Sequence, residues 1–153
     1  EKASDELIPH TRKVIFRIGL ILGKEAKTIQ SLVPIFKLGF GGKIGSGKQP
    51  FPFIHIDDAV RAILWSIENA NAKGIYNLTA PENIDNAQFV HTLAQKLHRP
   101  SIFTVPSFLL KLVLGEASGL LLQNPQVQPK RLIDEGFEFT FSDIESCLEE
   151  ILH

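Results

Sequence analysis

Methionine is absent from this chain, and cysteine, tryptophan and tyrosine occur once each among its 153 residues. The single cysteine, Cys147, excludes an internal disulfide bond. The 16 basic residues nearly balance the 17 acidic ones, and no segment concentrates lysine or arginine, which argues against a nucleic-acid or anionic-membrane surface. No apolar run approaches the roughly 18 to 20 residues of a spanning helix. The composition predicts a soluble protein of the cytoplasm or a soluble organellar compartment, with neither nucleic acid nor membrane as a partner.

The apolar fraction of 44% is sufficient for the core of one domain of ordinary size. Residue 1 is glutamate, and a complete translated product would begin with methionine. We therefore expect the chain to be part of a longer protein.

A nearly continuous apolar run of strand length covers residues 14–23. Such a run is typical of a strand that is covered on both faces in a parallel sheet. Arg17 and Gly19 interrupt it. Arg17 either extends into solvent or donates to a ligand near the strand.

Glycine is concentrated in residues 39–49, which follow a predicted helix over residues 26–38. A Gly-x-x-x-x-Gly-Lys order from position 42 to 48 falls short of a phosphate-binding P-loop, because Gln49 stands where a magnesium-binding hydroxyl is needed. Prolines at positions 50 and 52 also replace the helix whose N-terminus would face the phosphates. Two interpretations remain open: a tight loop with several positive φ angles, or a mobile loop that closes over a ligand.

The densest polar chemistry lies where a short apolar strand ends in His55 and a helix begins with Asp57 and Asp58. An apolar stripe at helical spacing predicts the face of this helix that packs inward. The stripe consists of Val60, Ile63, Leu64 and Ile67. Asp57 is predicted to be the N-cap and Asp58 to balance the helix dipole, rather than to contact substrate. His55 either bonds a backbone carbonyl or orients a loop or a ligand. No second His or Cys at metal-ligand spacing supports a metal site.

Further strands and helices alternate along the remaining chain. A short strand is predicted over residues 74–78, and a helix that Asp85 or Asn86 caps follows it. Residues 107–122 are mostly apolar and are predicted to be helical, forming either core or a contact surface for another part of the protein. A capping box that Ser142 opens begins a last helix. The pattern predicts an α/β fold.

The order of these stretches resembles the NAD(P)-dependent epimerase/dehydratase branch of the extended short-chain dehydrogenase/reductases. More narrowly, it resembles a family of sugar-nucleotide epimerases that carries an extra C-terminal domain of unknown function. The resemblance covers about residues 8–153 and is specific in the order of its blocks. The blocks include residues 16–22 and 36–49, Phe53-Ile54-His55-Ile56-Asp57-Asp58, Gly74-Ile75-Tyr76-Asn77, residues 105–106, Leu114-Gly115-Glu116, Pro129-Lys130-Arg131-Leu132 and Gly136-Phe137-Glu138-Phe139.

The resemblance implies the C-terminal part of a Rossmann-type, doubly wound sheet with a mostly helical substrate-side and C-terminal subdomain. It divides the chain into an epimerase-like portion, residues 1–104, and a small helical extension, residues 105–153. In the family, a Tyr-x-x-x-Lys pair moves the proton while the nicotinamide takes hydride. Tyr76 is the only tyrosine here and position 80 is alanine, so no residue of this chain is expected to be catalytic.

The family also implies two groups of binding residues. Contacts to the NADP or NAD cofactor are expected at Arg17, Gly19, Leu20 and Ile21. Contacts to a small-molecule substrate, such as a nucleotide-linked sugar, are expected at Phe40, Gly41, Lys48, Gln49 and His55. Because the pyrophosphate site would lie in a missing N-terminal Rossmann half, the chain alone is expected neither to bind the cofactor nor to be active.

Two functions are consistent with this resemblance. The first is the substrate-side half of a NAD(P)-dependent epimerase or reductase. The second is a non-catalytic protein that keeps the fold, senses a cofactor and regulates a partner. In either case the first strand would have an open edge without the missing half, so copies of the chain are expected to associate there.

Overall fold

The structure, a computed structural model, describes residues 11–105 and 126–153. The polar N-terminal tail before residue 11 and the apolar segment 107–122, with its predicted contact surface, lie outside the described residues. In these two ranges no helix is both long and apolar enough to cross a membrane.

Strands and helices alternate in the described ranges, and the strands pair in parallel. In chain order the elements are β1 (Val14–Ile18), β2 (Leu20–Leu22), α1 (Lys27–Lys37), β3 (Gly42–Ile44), β4 (Phe53–His55), α2 (Ile56–Glu68), β5 (Gly74–Leu78), α3 (Asn86–Lys96), β6 (Phe103–Val105), α4 (Lys130–Asp134) and α5 (Ile144–Leu152). Strand β1 pairs with β5, β2 with β4, and β3 with β6. Helices that alternate with parallel strands define the α/β class that the sequence pattern predicts.

The apolar run 14–23 is two strands, and Gly19 lies between them. The Gly19 N–H donates to the Leu78 carbonyl of β5 at 3.1 Å, whereas the Leu20 N–H donates to the Pro52 carbonyl at 2.8 Å. The chain therefore passes from one neighbouring strand to another at this residue. A Cβ atom on Gly19 would lie 2.7 Å from the Pro52 carbonyl oxygen, which explains why glycine occupies the position.

The glycine-rich stretch forms tight turns around strand β3. Gly39, Gly45 and Gly47 have φ angles of 82°, 54° and 74°, a region that favours glycine. This geometry supports the tight-loop interpretation. The prediction of a loop over the whole stretch was wrong, because residues 42–44 pair with β6 and the Ile44 N–H donates to Asn86 Oδ1 at 2.8 Å.

The predicted inward face of α2 was wrong. The buried residues of this helix are Asp58, Ala59, Ala62 and Ser66. The predicted stripe is exposed instead, with Val60 at 48%, Ile63 at 41%, Leu64 at 52% and Ile67 at 65%. Small residues allow α2 to approach the sheet closely, and Trp65 meets the edge of Tyr76 at a centroid distance of 5.9 Å. Helix α2 thus has apolar residues on two faces, and the described residues bury one of them.

Helix α2 begins two residues earlier than predicted, so its N-cap is His55 rather than Asp57. His55 Nδ1 accepts the Asp57 N–H at 3.2 Å. Asp57 lies in the exposed first turn, where its charge complements the helix dipole. Asp58 is buried and accepts hydrogen bonds from outside its own helix, as described below.

The caps of the later helices follow the sequence more closely. Asp85 caps α3 as predicted, because its Oδ1 accepts the Gln88 N–H at 2.8 Å. Helix α5 begins one residue later than the capping box predicts, because Asp143 rather than Ser142 is its N-cap and accepts the Ser146 N–H at 2.8 Å. The Asp143 carboxylate therefore has the capping role that the sequence pattern assigned to Ser142.

Two apolar clusters hold the described elements together. The first joins β2, β4, α1, α3 and α5, with members such as Leu22, Phe36, Phe53, Leu93 and Leu148. The second joins β4, β5, α2 and α4, with members such as Ile54, Ala62, Tyr76 and Leu132. The last two helices, α4 and α5, thus pack in the same apolar clusters as the strands. The division into residues 1–104 and 105–153 stays a prediction.

Candidate functional site

A cavity of about 460 Å³ opens at the carboxyl ends of strands β2 and β4. Ligands of open parallel sheets bind at this end of the strands. The polar side chains that line it are Lys24, Glu25, His55, Asp57 and Glu150. A concave space of this size with a few convergent polar groups has the properties of a small-molecule site.

Two of the predicted binding residues, Ile21 and His55, line this cavity together. They meet because β2 and β4 are paired, with Ile21 opposite Ile54 and Leu22 opposite His55. One was predicted to contact the cofactor and the other the substrate. Their contacts with ligands stay predictions.

The remaining predicted cofactor residues lie outside the cavity lining. The Arg17 side chain is exposed on β1, opposite Asn77 of β5. Gly19 and Leu20 are half-buried where the chain changes its neighbouring strand. These three positions therefore lie in β1, between β1 and β2, and at the start of β2, and not in the cavity lining.

The predicted substrate residues of the glycine-rich stretch also lie outside the cavity lining, around β3. Phe40 is 63% exposed, and its ring centroid lies 6.4 Å from that of Phe103. Gly41 is buried, and a Cβ atom there would lie 2.4 Å from the Phe36 ring. Glycine at position 41 is therefore explained by packing alone.

Lys48 and Gln49 differ in their surroundings. The Lys48 side chain is exposed, so its ammonium group is accessible to a phosphate or sugar oxygen. Gln49 is half-buried, and its Nε2 donates to the Ile44 carbonyl at 3.1 Å. The backbone of the same loop already engages the Gln49 amide, so Lys48 is the better placed of the two predicted donors.

His55 is 1% exposed, and both of its ring nitrogens are engaged. Nδ1 accepts the Asp57 N–H, and Nε2 lies 3.0 Å from Glu150 Oε2. An accepting Nδ1 assigns the proton to Nε2, which donates to Glu150. The ring also lies 4.0 Å from the Phe141 ring, measured between centroids. A ligand could bond His55 only by displacing one of these partners, so the geometry gives His55 a positioning role.

Glu150 is the site residue that sequence reasoning missed. Helix α5 carries it to the cavity, where Oε1 lies 3.4 Å from Lys24 Nζ and Oε2 bonds His55. Partial burial raises the pKa of Glu150, but hydrogen bonds from His55 and Lys24 outweigh that effect and hold the pKa below its ordinary value. Nothing in the sequence distinguishes Glu150 from Glu149, since its partners lie far away along the chain.

Glu150→Gln is expected to weaken the acid-side pH dependence of stability. A carboxylate whose folded pKa lies below its ordinary value of 4.5 stabilises the fold above that pH, and the contribution is lost as pH falls through the folded value. The side chain is 39% exposed, so the contribution is expected to stay below about 1 kcal/mol.

Urea unfolding of wild type and Glu150→Gln at pH 7 and about pH 3 checks this expectation. The difference between the two proteins should shrink on acidification. Glu68→Gln, an exposed change at the end of α2, is the matched control and should give no such trend. A difference for Glu150→Gln that stays constant with pH would contradict the assignment.

Asp58 anchors the C-terminal segment to the start of α2. Its carboxylate is fully buried and accepts the Thr140 N–H at 2.9 Å, the Phe141 N–H at 2.8 Å and Arg61 Nη1 at 2.9 Å. Phe141 then covers the His55 ring. Two of the three polar residues at this corner, His55 and Asp58, are therefore held by residues 140–150. The prediction that Asp58 is structural agrees with this geometry, although its partners are not those of a helix cap.

Tyr76, the only tyrosine, is committed to a structural network. Its hydroxyl donates to Glu135 Oε2 at 2.6 Å and accepts from Arg131 Nη2 at 3.1 Å. Burial, followed by the Glu135 bond, raises the Tyr76 pKa, which is the opposite of what a proton-transferring phenol needs. Burial likewise raises the pKa of the Cys147 thiol to about 12, so it is not a nucleophile at neutral pH.

The described residues fit at most the nicotinamide end of a dinucleotide cofactor. Ile21 offers an apolar wall, but the charged groups of the cavity are one ammonium, Lys24, and three carboxylates. Such a set suits hydroxyl or amide donors of a ligand better than a pyrophosphate. No group of three or more His, Cys, Asp or Glu within the described ranges is arranged to hold a metal ion.

The chain is similar to one protein family over nearly its whole length. A family model described as "Domain of unknown function (DUF1731)" matches residues 105–151. An epimerase family protein of Staphylococcus haemolyticus is 42% identical over 142 residues, which are 93% of this chain and 48% of that protein. The predicted resemblance to the epimerase family is confirmed. The chain spans about half the length of the curated epimerase family relatives it matches.

Solved structures of the epimerase family share the fold. The crystal structure of human epimerase family protein SDR39U1 (isoform 2) with NADPH superposes with a TM-score of 0.86 at 35% identity, covering 98% of this chain and 52% of the human one. The nucleoside-diphosphate sugar epimerase of Corynebacterium glutamicum has a TM-score of 0.63 at 23% identity, covering 93% of this chain and 26% of that one, and it shows likeness of fold alone. The predicted Rossmann-type α/β class is confirmed.

Proposed function

We propose that this chain forms the substrate-side half of a NAD(P)-dependent epimerase or reductase that acts on nucleotide-linked sugars. The observation that carries the proposal is the cavity at the ends of β2 and β4, because a predicted cofactor residue, Ile21, and a predicted substrate residue, His55, line the same space. The likeness to a human protein crystallised with NADPH supports a nicotinamide cofactor.

The residues of this chain would bind and orient the reactants rather than react. Ile21, near the end of β2, would form one wall of the nicotinamide site. The nicotinamide would supply hydride transfer when bound. Glu150, fixed by His55 and Lys24, would accept a hydrogen bond from a sugar hydroxyl. The exposed Lys48 would bind a phosphate oxygen of the nucleotide. The group that moves the proton would come from outside this chain.

The chain alone is expected not to bind NADPH at concentrations up to about 100 μM, because residues 11–105 and 126–153 offer no cradle for the pyrophosphate. A fluorescence titration of NADPH with the purified chain checks this expectation. Saturable binding in the micromolar range would show that the chain carries a complete dinucleotide site, which would overturn the division of the site between two halves.

The proposal is tested with a chimera in which this chain replaces the matched part of the Staphylococcus haemolyticus relative. We expect the chimera to bind NADPH with a micromolar or tighter Kd, because the relative would supply the pyrophosphate site and this chain the nicotinamide end. A chimera that unfolds cooperatively but does not bind NADPH would contradict the proposed function.

A further inference from the structure

The cavity at the ends of β2 and β4 is lined by unequal numbers of positive and negative side chains. Its charged residues are Lys24, Glu25, Asp57 and Glu150. His55 adds no positive charge, because Nδ1 accepts the Asp57 N–H and the ring proton lies on Nε2. One ammonium group against three carboxylates leaves the lining with a formal charge of −2.

Glu25 and Asp57 account for this excess of negative charge. The ammonium group of the lining, Lys24 Nζ, already lies 3.4 Å from Glu150 Oε1. The Asp57 carboxylate lies 3.7 Å from His55 Nδ1, which accepts a hydrogen bond and carries no charge. A ligand inside the cavity therefore meets two carboxylates whose charge Lys24 does not balance.

A metal ion is a poor match for these carboxylates. No group of three or more His, Cys, Asp or Glu residues within 11–105 and 126–153 is arranged to hold one. An organic cation needs no coordination geometry, because its charge interacts with carboxylates at longer distances. The cavity, of about 460 Å³, accommodates a six-membered ring, and Ile21 offers that ring an apolar contact. The lining thus suits a flat organic cation.

The nicotinamide ring is such a cation in one of its two redox states. The oxidised ring carries a positive charge, whereas the ring that has accepted hydride is neutral. The two states share the carboxamide, the ribose and the phosphates, so a difference in affinity between them reports the surroundings of the ring. Two carboxylates at about 8 Å change the affinity for a unit positive charge by about 5-fold, even at a dielectric constant near that of water.

We infer that the cavity binds the oxidised nicotinamide ring more tightly than the reduced ring, and that Glu25 and Asp57 determine this preference. The inference deepens the proposed function and rests on it, because the proposed function places the nicotinamide beside Ile21. A preference of about 5-fold lowers the two-electron reduction potential of the bound cofactor by about 20 mV. The bound reduced cofactor is then a stronger hydride donor, so the site favours reduction of a sugar carbonyl and return of the cofactor to its oxidised form.

The test uses the chain itself with two small probes that match the two states of the ring. They are the 1-methylnicotinamide cation and its neutral 1,4-dihydro form, each titrated at neutral pH. Amide chemical shifts of Ile21 and Gly23, which line the cavity, report the binding. The cation is expected to bind with a millimolar Kd, as small ligands do, and about 5-fold more tightly than the neutral form.

Charge variants separate the electrostatic preference from other contacts. Glu25→Gln with Asp57→Asn should reduce the preference for the cation to less than about 2-fold. Lys24→Gln should increase it, because this change makes the lining more negative. Glu68→Gln with Glu138→Gln removes two exposed carboxylates outside the lining and is the matched control, so it should keep the wild-type preference.

Three results would overturn the inference. The first is equal or tighter binding of the neutral form, and the second is a preference that the charge variants leave unchanged. The third is the absence of saturable changes at Ile21 and Gly23 with the cation at up to about 50 mM.

The chimera with the Staphylococcus haemolyticus relative separates this inference from the proposed function. A cation preference in the chain, together with a folded chimera that does not bind NADPH, would support the charge selection and contradict the proposed function. A chimera that binds NADPH, with a ratio of NADPH to NADP+ affinity that Glu25→Gln with Asp57→Asn leaves unchanged, would support the proposed function and contradict the charge selection.

Discussion

Asp58→Ala is expected to lower the free energy of unfolding by about 2 to 4 kcal/mol. The carboxylate is fully buried and accepts three hydrogen bonds, two of them from the backbone of residues 140 and 141. Alanine removes all three bonds and leaves a cavity at the start of α2. The Arg61 side chain is 45% exposed, so water can replace its lost partner, which limits the effect.

The neighbouring acid provides the control for this prediction. Asp57 lies one residue away in the same helical turn, but its side chain is 66% exposed. Asp57→Ala removes only a favourable interaction with the helix dipole and is expected to cost less than about 1 kcal/mol. Urea unfolding followed by far-UV circular dichroism measures both variants. Similar losses for the two variants would contradict the assignment of Asp58 as the anchor.

Gly19→Ala is expected to cost about 2 to 3 kcal/mol in the same measurement. A Cβ atom at this position would lie 2.7 Å from the Pro52 carbonyl oxygen and 2.9 Å from Thr79 Cγ2. The Thr79 methyl group can shift, but the Pro52 carbonyl accepts the Leu20 N–H at 2.8 Å and can move only if that bond lengthens. The expected cost therefore comes from the backbone, at the residue where the strand changes neighbours.

Gly23→Ala is the matched control for Gly19→Ala. Its nearest obstacle is Ile56 Cγ2 at 2.9 Å, a methyl group on a partly exposed side chain that can adopt another rotamer. We expect a loss below about 1 kcal/mol for this variant. If Gly19→Ala were as stable as Gly23→Ala, the sheet would tolerate a Cβ atom at position 19, where the chain changes its neighbouring strand. The steric explanation of Gly19 would then be wrong.

The sequence predicts the strands and helices of this fold better than it predicts which neighbours each of them contacts. The apolar run over residues 14–23 indicates a parallel strand that is covered on both faces, whereas the structure has two parallel strands there, and of their residues only Leu22 is buried. Only the hydrogen bonds of Gly19 show that the run serves two neighbours. The cap of α3 at Asp85 was predictable because an N-cap is local chemistry. A change of strand partner is a tertiary property and leaves no local pattern.

Helix α2 shows why periodicity alone can assign the wrong face. The large apolar stripe has the spacing of a core face, whereas the face that meets the sheet consists of Ala59, Ala62 and Ser66 beside the buried Asp58. Small residues contribute little to an apolar pattern, yet they permit the closest approach between a helix and a sheet. The described residues leave this stripe exposed.

The candidate site likewise combines residues that were predicted from the sequence with one that was not. The family resemblance predicts ligand contacts for Ile21 and His55, and the pairing of β2 with β4 brings the two residues to one cavity. Their contacts with ligands stay predictions. Glu150 was not predictable, because it reaches His55 across 95 residues of sequence and stands beside an equally acidic neighbour. Its role depends on how α5 packs, which no local motif specifies.

The central claim, that this chain supplies the nicotinamide and substrate side of a divided site, is tested most directly by mapping NADPH on the chimera with the Staphylococcus haemolyticus relative. Amide chemical shifts recorded with and without NADPH show which residues of this chain meet the cofactor. We expect the largest changes at Ile21 and Gly23, which line the cavity at the end of β2. Saturable NADPH binding that leaves these amides unchanged would contradict the account.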